Sequence, residues 1–129
     1  MDSRTLRTKV QAVNGLRTAV LVEALTIGPT LTGSLFKRYR MCGKPGCRCT
    51  RGKKHGPYWC LSLFRAGTPR VFPVAPTKAV SARTAARAYR RWRTHVRRLR
   101  ALDAALLGLL ERLRQAAQLD PEEVIRKRP

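Results

Sequence analysis

Acidic residues are scarce in this chain. Of its 129 residues, 7 are Asp or Glu against 28 Lys or Arg, a formal net charge of +21. From Lys37 to Arg100 no acid occurs at all. Paired carboxylates for general acid–base work are therefore excluded from the middle of the chain. Aromatic residues are few, at 6%. No apolar run approaches the roughly 18 residues a membrane-spanning helix needs. Arg98 and Arg100 precede the Leu-rich stretch and Glu111 closes it. The first residues show no apolar core followed by a small-residue cleavage site. A cytoplasmic chain without a signal peptide or membrane contact is expected, nucleoid-associated if it binds DNA. No Ser/His/Asp set and no phosphate-binding glycine loop is found, so no enzyme is expected.

What is present is positive charge and a short cysteine cluster. Lys37 to Arg100 carries 19 basic residues. A segment of this kind repels itself unless a polyanion lies beside it. Arginine supplies 21 of the 28 basic residues, as a GC-rich genome would give, but genome bias does not remove acids. The length suits one domain, or one small core with a helical appendage.

An α+β organisation is expected: an N-terminal helix, a small three-stranded antiparallel sheet with a zinc knuckle, and a long coiled-coil-like C-terminal helix. Residues 1–28 form the first segment. Leu6, Val10, Val13, Leu16, Val20, Ala24 and Ile27 recur at steps of three and four, predicting a helix over Ser3–Thr26 with Ser3 as cap. Gly28-Pro29 stops it. Residues 33–75 form the sheet module. Its strands are expected around Leu35–Met41, Tyr58–Arg65 and Arg70–Val74, with a turn at Ala66–Pro69. Pro73 makes the last an edge strand.

Residues 77–119 form the long helix, its seam running Ala85, Tyr89, Trp92, Val96, Leu99, Leu102, Leu106, Leu109, Leu113, Ala116 in near-heptad steps. One N-terminal helix covers only part of that seam. A second copy of the chain, or another protein, is expected on Leu102, Leu106, Leu109 and Leu113. Residues 120–129 read as a short helix, capped by Asp120 with Pro121 at its first position, and a basic tail Arg126-Lys127-Arg128.

All four cysteines lie between Cys42 and Cys60, spaced Cys42-x4-Cys47-x-Cys49-x5-His55-x4-Cys60. Thiolates and an imidazole packed this closely suit zinc, which takes four tetrahedral N/S ligands. Glycines 43, 46, 52 and 56 let the backbone wrap closely. The favoured set is Cys42, Cys47, Cys49 and His55. Cys60 falls inside a strand, where a small apolar residue is the ordinary occupant. An all-cysteine site with Cys60 in place of His55 is the alternative. Disulfides are disfavoured without a secretory signal. A closed four-ligand site reads as structural.

Gly33-Ser34-Leu35, then Tyr39-Arg40-Met41-Cys42-Gly43-Lys44-Pro45-Gly46-Cys47-Arg48-Cys49, then His55-Gly56-Pro57-Tyr58-Trp59, resembles a bacterial and archaeal family of small proteins of unknown function. Its hallmark is CGKPxCRC followed by HGPY and a strand, and the resemblance covers about Gly33 to Leu102. It implies zinc on Cys42, Cys47, Cys49 and His55, with an aromatic residue usual at the position of Cys60. It also implies a genomic neighbourhood of transposases and recombinases. It carries no catalytic residue over.

The candidate nucleic-acid contacts are Lys37, Arg38, Arg40, Lys44, Arg48, Arg51, Lys53 and Lys54 around the knuckle. On the long helix they are Arg83, Arg87, Arg90, Arg91, Arg97 and Arg98. Tyr58 is a candidate for stacking on a base, whereas Trp59 shares a face with Leu61 and Leu63 and reads as core. His95 reads as a helix-surface residue. The expected function is a zinc-stabilised accessory protein binding nucleic acid, double-stranded DNA ahead of RNA, within a mobile-element transposition or recombination machine. The alternatives are an RNA-binding or ribonucleoprotein-associated protein, and a scaffold or inhibitor on an acidic protein surface.

Overall fold

The computed structural model describes residues 1–126; Lys127 and Arg128 of the expected basic tail lie outside them. The elements run α1 (Ser3–Leu25), β1 (Ser34–Arg40), a one-turn 3-10 helix (Arg48–Arg51), β2 (His55–Arg65), β3 (Thr68–Pro73), a 3-10 turn (Pro76–Lys78), α2 (Ala79–Ala116) and α3 (Pro121–Val124). The architecture is α+β, with an N-terminal helix, a three-stranded antiparallel sheet bearing the cysteine cluster, and a long C-terminal helix. No helix among the described residues is long and apolar enough to cross a membrane. The chain forms two compact units, one of Ile27–Trp92 and one of Met1–Thr26 with the chain from Arg93 on.

In the helical unit, the cap of α1 lies one residue earlier than expected. Asp2, not Ser3, is the cap: its carboxylate accepts from the Thr5 N–H at 2.7 Å. Both residue types cap well, and Asp2 has the extended backbone that a cap requires. Leu6 and Val20 are buried and Val10, Val13 and Ala24 half-buried, as the periodicity predicts. Leu16, however, is 55% exposed. Arg17 takes its place on the inward face, donating through Nε to Asp103 at 2.6 Å. Steps of 4 and 3 from Val13 lead to Arg17 and Val20, so a polar residue occupies a heptad position and the apolar Leu16 is displaced.

Glu23 faces His95 at 3.8 Å. The pairs 17–103 and 23–95 run in opposite order, so α1 lies antiparallel to the second part of α2. Leu102, Leu106, Leu109 and Leu113 are half-buried on this side, while Leu107 and Leu110 are exposed. His95 is not on the open surface: its side chain is 19% exposed and its Nδ1 is buried without a hydrogen bond. Position 95 adjoins Val96 on the seam, and this draws the ring inward.

In the other unit the sheet order is β1-β2-β3, both pairings antiparallel, with Pro73 on an edge strand as expected. The turn is tighter than the expected four residues. Ala66 (φ 50°) and Gly67 (φ 76°) form a two-residue hairpin connection with both residues left-handed. Trp59, Leu61 and Leu63 share one sheet face with Leu35 and Phe72.

The first turns of α2 differ from the expected aromatic seam. Ala86 and Ala88 are buried and Ala82 and Ala85 half-buried, while Trp92 is 40% exposed and stacks on Tyr89. The Ala85 carbonyl accepts from the Leu31 N–H at 3.1 Å, bringing the approach to β1 onto this helix. Trp59 already fills volume beneath Arg83, so small side chains are what close packing admits there.

Candidate metal centre

Three short pieces of chain bring the four candidate ligand atoms together. Cys42 follows β1, Cys47 and Cys49 enclose the start of the 3-10 turn, and His55 opens β2. The strand therefore starts three residues before the expected Tyr58. Gly56-Pro57 reads as a breaker, yet Arg40 pairs with His55 across an irregularity in the ladder between Arg38 and Arg40. Gly56 makes this possible. Its φ is +130°, and a Cβ there would lie 2.8 Å from the Arg38 carbonyl oxygen. We expect Gly56→Ala to destabilise this unit by roughly 1–3 kcal/mol through backbone strain and to weaken metal binding with it. Urea denaturation and a competitive metal titration check this; an unchanged midpoint and affinity would contradict it.

The 3-10 turn is pinned from both ends. The Thr50 N–H and hydroxyl both donate to the Cys47 carbonyl, at 3.1 and 2.6 Å. Gly52, at φ 92°, closes the turn by donating to the Cys49 carbonyl. These bonds fix the two cysteine backbones while leaving their sulfurs free to converge.

Cys42 Sγ lies 3.5 Å from Cys49 Sγ, and Cys47 Sγ lies 3.2 Å from His55 Nε2. All four ligand atoms fall within 4.8 Å of one another. Tetrahedral donors held about 2.0–2.3 Å from one ion sit roughly 3.5–3.8 Å apart. The cluster is thus compatible with a metal ion bound through three sulfurs and Nε2. Cys49 is buried, Cys47 and His55 half-buried and Cys42 exposed. Cys60 is buried within β2, paired with Phe36 and Pro73, and does not belong to the group.

The clustered donors shift two of the thiols in opposite directions. The Cys49 backbone N–H, then the Cys42 and Cys49 thiols, pull the Cys47 thiol down to about 6, with His55 helping. Cys42 moves up: the Lys44 N–H favours its thiolate, but the Cys47 and Cys49 thiols and desolvation outweigh it. A cation would favour the thiolate of each.

A thiol whose folded pKa is depressed adds stability that is complete above the ordinary thiol range. That stability is lost as pH falls through the folded value. Because protons also compete with a metal for the thiolates and the imidazole, the melting temperature and metal content of the chain should fall together as the pH is lowered from slightly alkaline into the acid range. A flat profile across that range would contradict the assignment.

The basic candidates around the cluster, namely Lys37, Arg38, Arg40, Lys44, Arg48, Arg51, Lys53 and Lys54, are all exposed. On α2, Arg83, Arg87, Arg90 and Arg91 are exposed in the sheet-bearing unit, and Arg97 and Arg98 in the helical one. The structure also joins residues that are far apart in sequence. Lys37 Nζ sits 5.5 Å, and the Arg83 guanidinium 4.7 Å, from the centre of the Trp59 ring. Lys37 is the cross-strand partner of Trp59, so the first contact follows once the register is known. The second depends on where α2 docks, which no periodicity reveals. Trp59 is half-buried beneath these cations, in keeping with a core role, and Tyr58 is 49% exposed.

Residues 13–69 match the model of a family described as a domain of unknown function, DUF6788. The match contains the whole cysteine–histidine cluster, in agreement with the resemblance read from CGKPGCRC and HGPY. It begins earlier than that resemblance, within α1, and ends in β3. Neither the curated proteins nor the solved structures contain a match to the chain.

Proposed function

We propose that the chain is a zinc-stapled nucleic-acid-binding protein that favours duplex DNA and serves as an accessory subunit of a mobile-element recombination or transposition machine. The observation that carries the binding reading is the charge. Between Lys37 and Arg100 there are 19 cations and no acid, and the named basic residues of that segment are exposed. Like charges at i,i+4 on a helix repel, and α2 carries Arg83, Arg87 and Arg91 in such a row with no acid between them. A polyanion relieves that repulsion.

Zinc is the metal that a compact set of three thiolates and one imidazole suits best. Cys42, Cys47, Cys49 Sγ and His55 Nε2 would hold it, and its contribution would be a cross-link between the end of β1, the 3-10 turn and β2. Four protein ligands leave no open position for a substrate, and no carboxylate stands nearby in sequence to act as a base, which supports a binding protein over an enzyme. The assignment to a recombination machine rests on the motif's resemblance. Leu107 and Leu110, exposed on the helical unit, offer the apolar surface for a partner subunit or a second copy.

Fluorescence anisotropy of the zinc-loaded chain with matched duplex DNA, structured RNA and polyglutamate tests the reading. Tightest binding to the duplex is expected. A clear preference for RNA would replace DNA by RNA, and equal binding to polyglutamate would replace nucleic acid by an acidic protein surface.

A further inference from the structure

Beside the cysteine cluster, within the Ile27–Trp92 unit, lies a cavity of about 930 Å³. It is walled by Met41, Pro57, Tyr58, Trp59 and Pro73 and carries Arg40 at its edge. That volume is of the size that takes a drug-sized ligand or a nucleotide. Its walls are mostly apolar and aromatic, Cys42 and His55 of the cluster also line it, and no acidic residue contributes to them. The Trp59 ring itself is covered by Lys37 and Arg83 on the sheet face opposite Tyr58. Tyr58, half-exposed, presents a ring that Trp59, already covered, does not.

A planar apolar group flanked by negative charge complements such a site. We infer that the cavity is a pocket for one unpaired nucleobase of a polynucleotide, the base lying against Tyr58 and a flanking phosphate meeting Arg40. The inference rests on the nucleic-acid reading above and narrows it. Within a stacked duplex a base cannot enter a side-chain cavity, so the preferred ligand carries an extruded or bulged nucleotide. Stacking on an aromatic ring is tolerant of base identity, so the pocket selects for unpaired state rather than sequence.

The test uses the full zinc-loaded chain and three duplexes: one fully paired, one with a single bulged thymidine, and one with an abasic residue in the bulge. The abasic bulge keeps the kink and the phosphates and removes only the base. The thymidine bulge should bind about ten-fold tighter than the abasic one. Tyr58→Ala should bring that ratio near one and Tyr58→Phe should keep it. Ala79→Trp, which places a bulky ring against the same cavity, should also abolish it while metal content stays unchanged. Equal binding of all three duplexes by the wild type would overturn the pocket and leave the polyanion reading standing. A ratio that survives Tyr58→Ala and Ala79→Trp would likewise overturn it. Binding to none of the three would overturn both.

Discussion

Stripping the metal should unfold the sheet-bearing unit. Its buried side chains are Cys49, Cys60, Ala86 and Ala88, two thiols and two methyl groups. A three-stranded sheet with so little buried apolar surface needs a staple. A structural zinc site contributes on the order of 10 kcal/mol of apparent folding free energy near neutral pH, more than the whole stability of many small domains. A chelator titration followed by amide NMR should therefore remove the dispersed signals of Ser34–Arg40, His55–Arg65 and Thr68–Pro73 together.

Cys49→Ser should give the same spectrum without chelator, because Cys49 is both one of the four clustered donors and 1% exposed. Cys60→Ala separates ligation from burial. It removes the other buried thiol but none of the four clustered donors, so one metal per chain should remain bound. A dispersed sheet spectrum after complete metal loss would show that packing alone holds the unit.

Replacing Arg87, Arg91 and Arg98 with Gln should weaken duplex binding steeply and leave the fold intact. All three side chains are exposed, so their loss uncovers no core. Each phosphate contact removed lowers the slope of log affinity against log salt by about 0.9, so the triple variant should be shallower by nearly three units. Arg112→Gln provides the contrast, since α2 beyond Leu102 regains Asp103 and Glu111 and its charge is nearly balanced. Equal slopes for the wild type and the triple variant would remove these arginines from the interface.

Much of this organisation was legible in the residues. The spacing favours Cys42, Cys47, Cys49 and His55 but leaves Cys60 as an alternative to His55, and the fold brings the favoured four together. The three strands follow from alternation and from the turn at Ala66-Gly67, and the edge position of β3 from Pro73. What escaped the sequence depends on tertiary contacts. Leu16 and Arg17 are adjacent, and the ion pair with Asp103 brings the arginine inward, against the apolar pattern. The inner face of early α2 is alanine, a residue that contributes little to an apolar periodicity but allows close approach.

His55 lies on a strand because Gly56 can adopt φ +130° beside the Arg38 carbonyl, a backbone state that composition does not reveal. The meeting of Lys37 and Arg83 at Trp59 needs both the sheet register and the docking of a helix.

The most direct test is the salt dependence of duplex DNA binding by the zinc-loaded chain. Counterion release predicts a straight line of log affinity against log salt, with a steep negative slope set by the number of phosphates neutralised. Loss of that binding on chelation would tie it to the metal-held unit. Weak binding with a shallow slope, unchanged by chelation, would mean that the charge between Lys37 and Arg100 serves some other partner and that the nucleic-acid assignment is wrong.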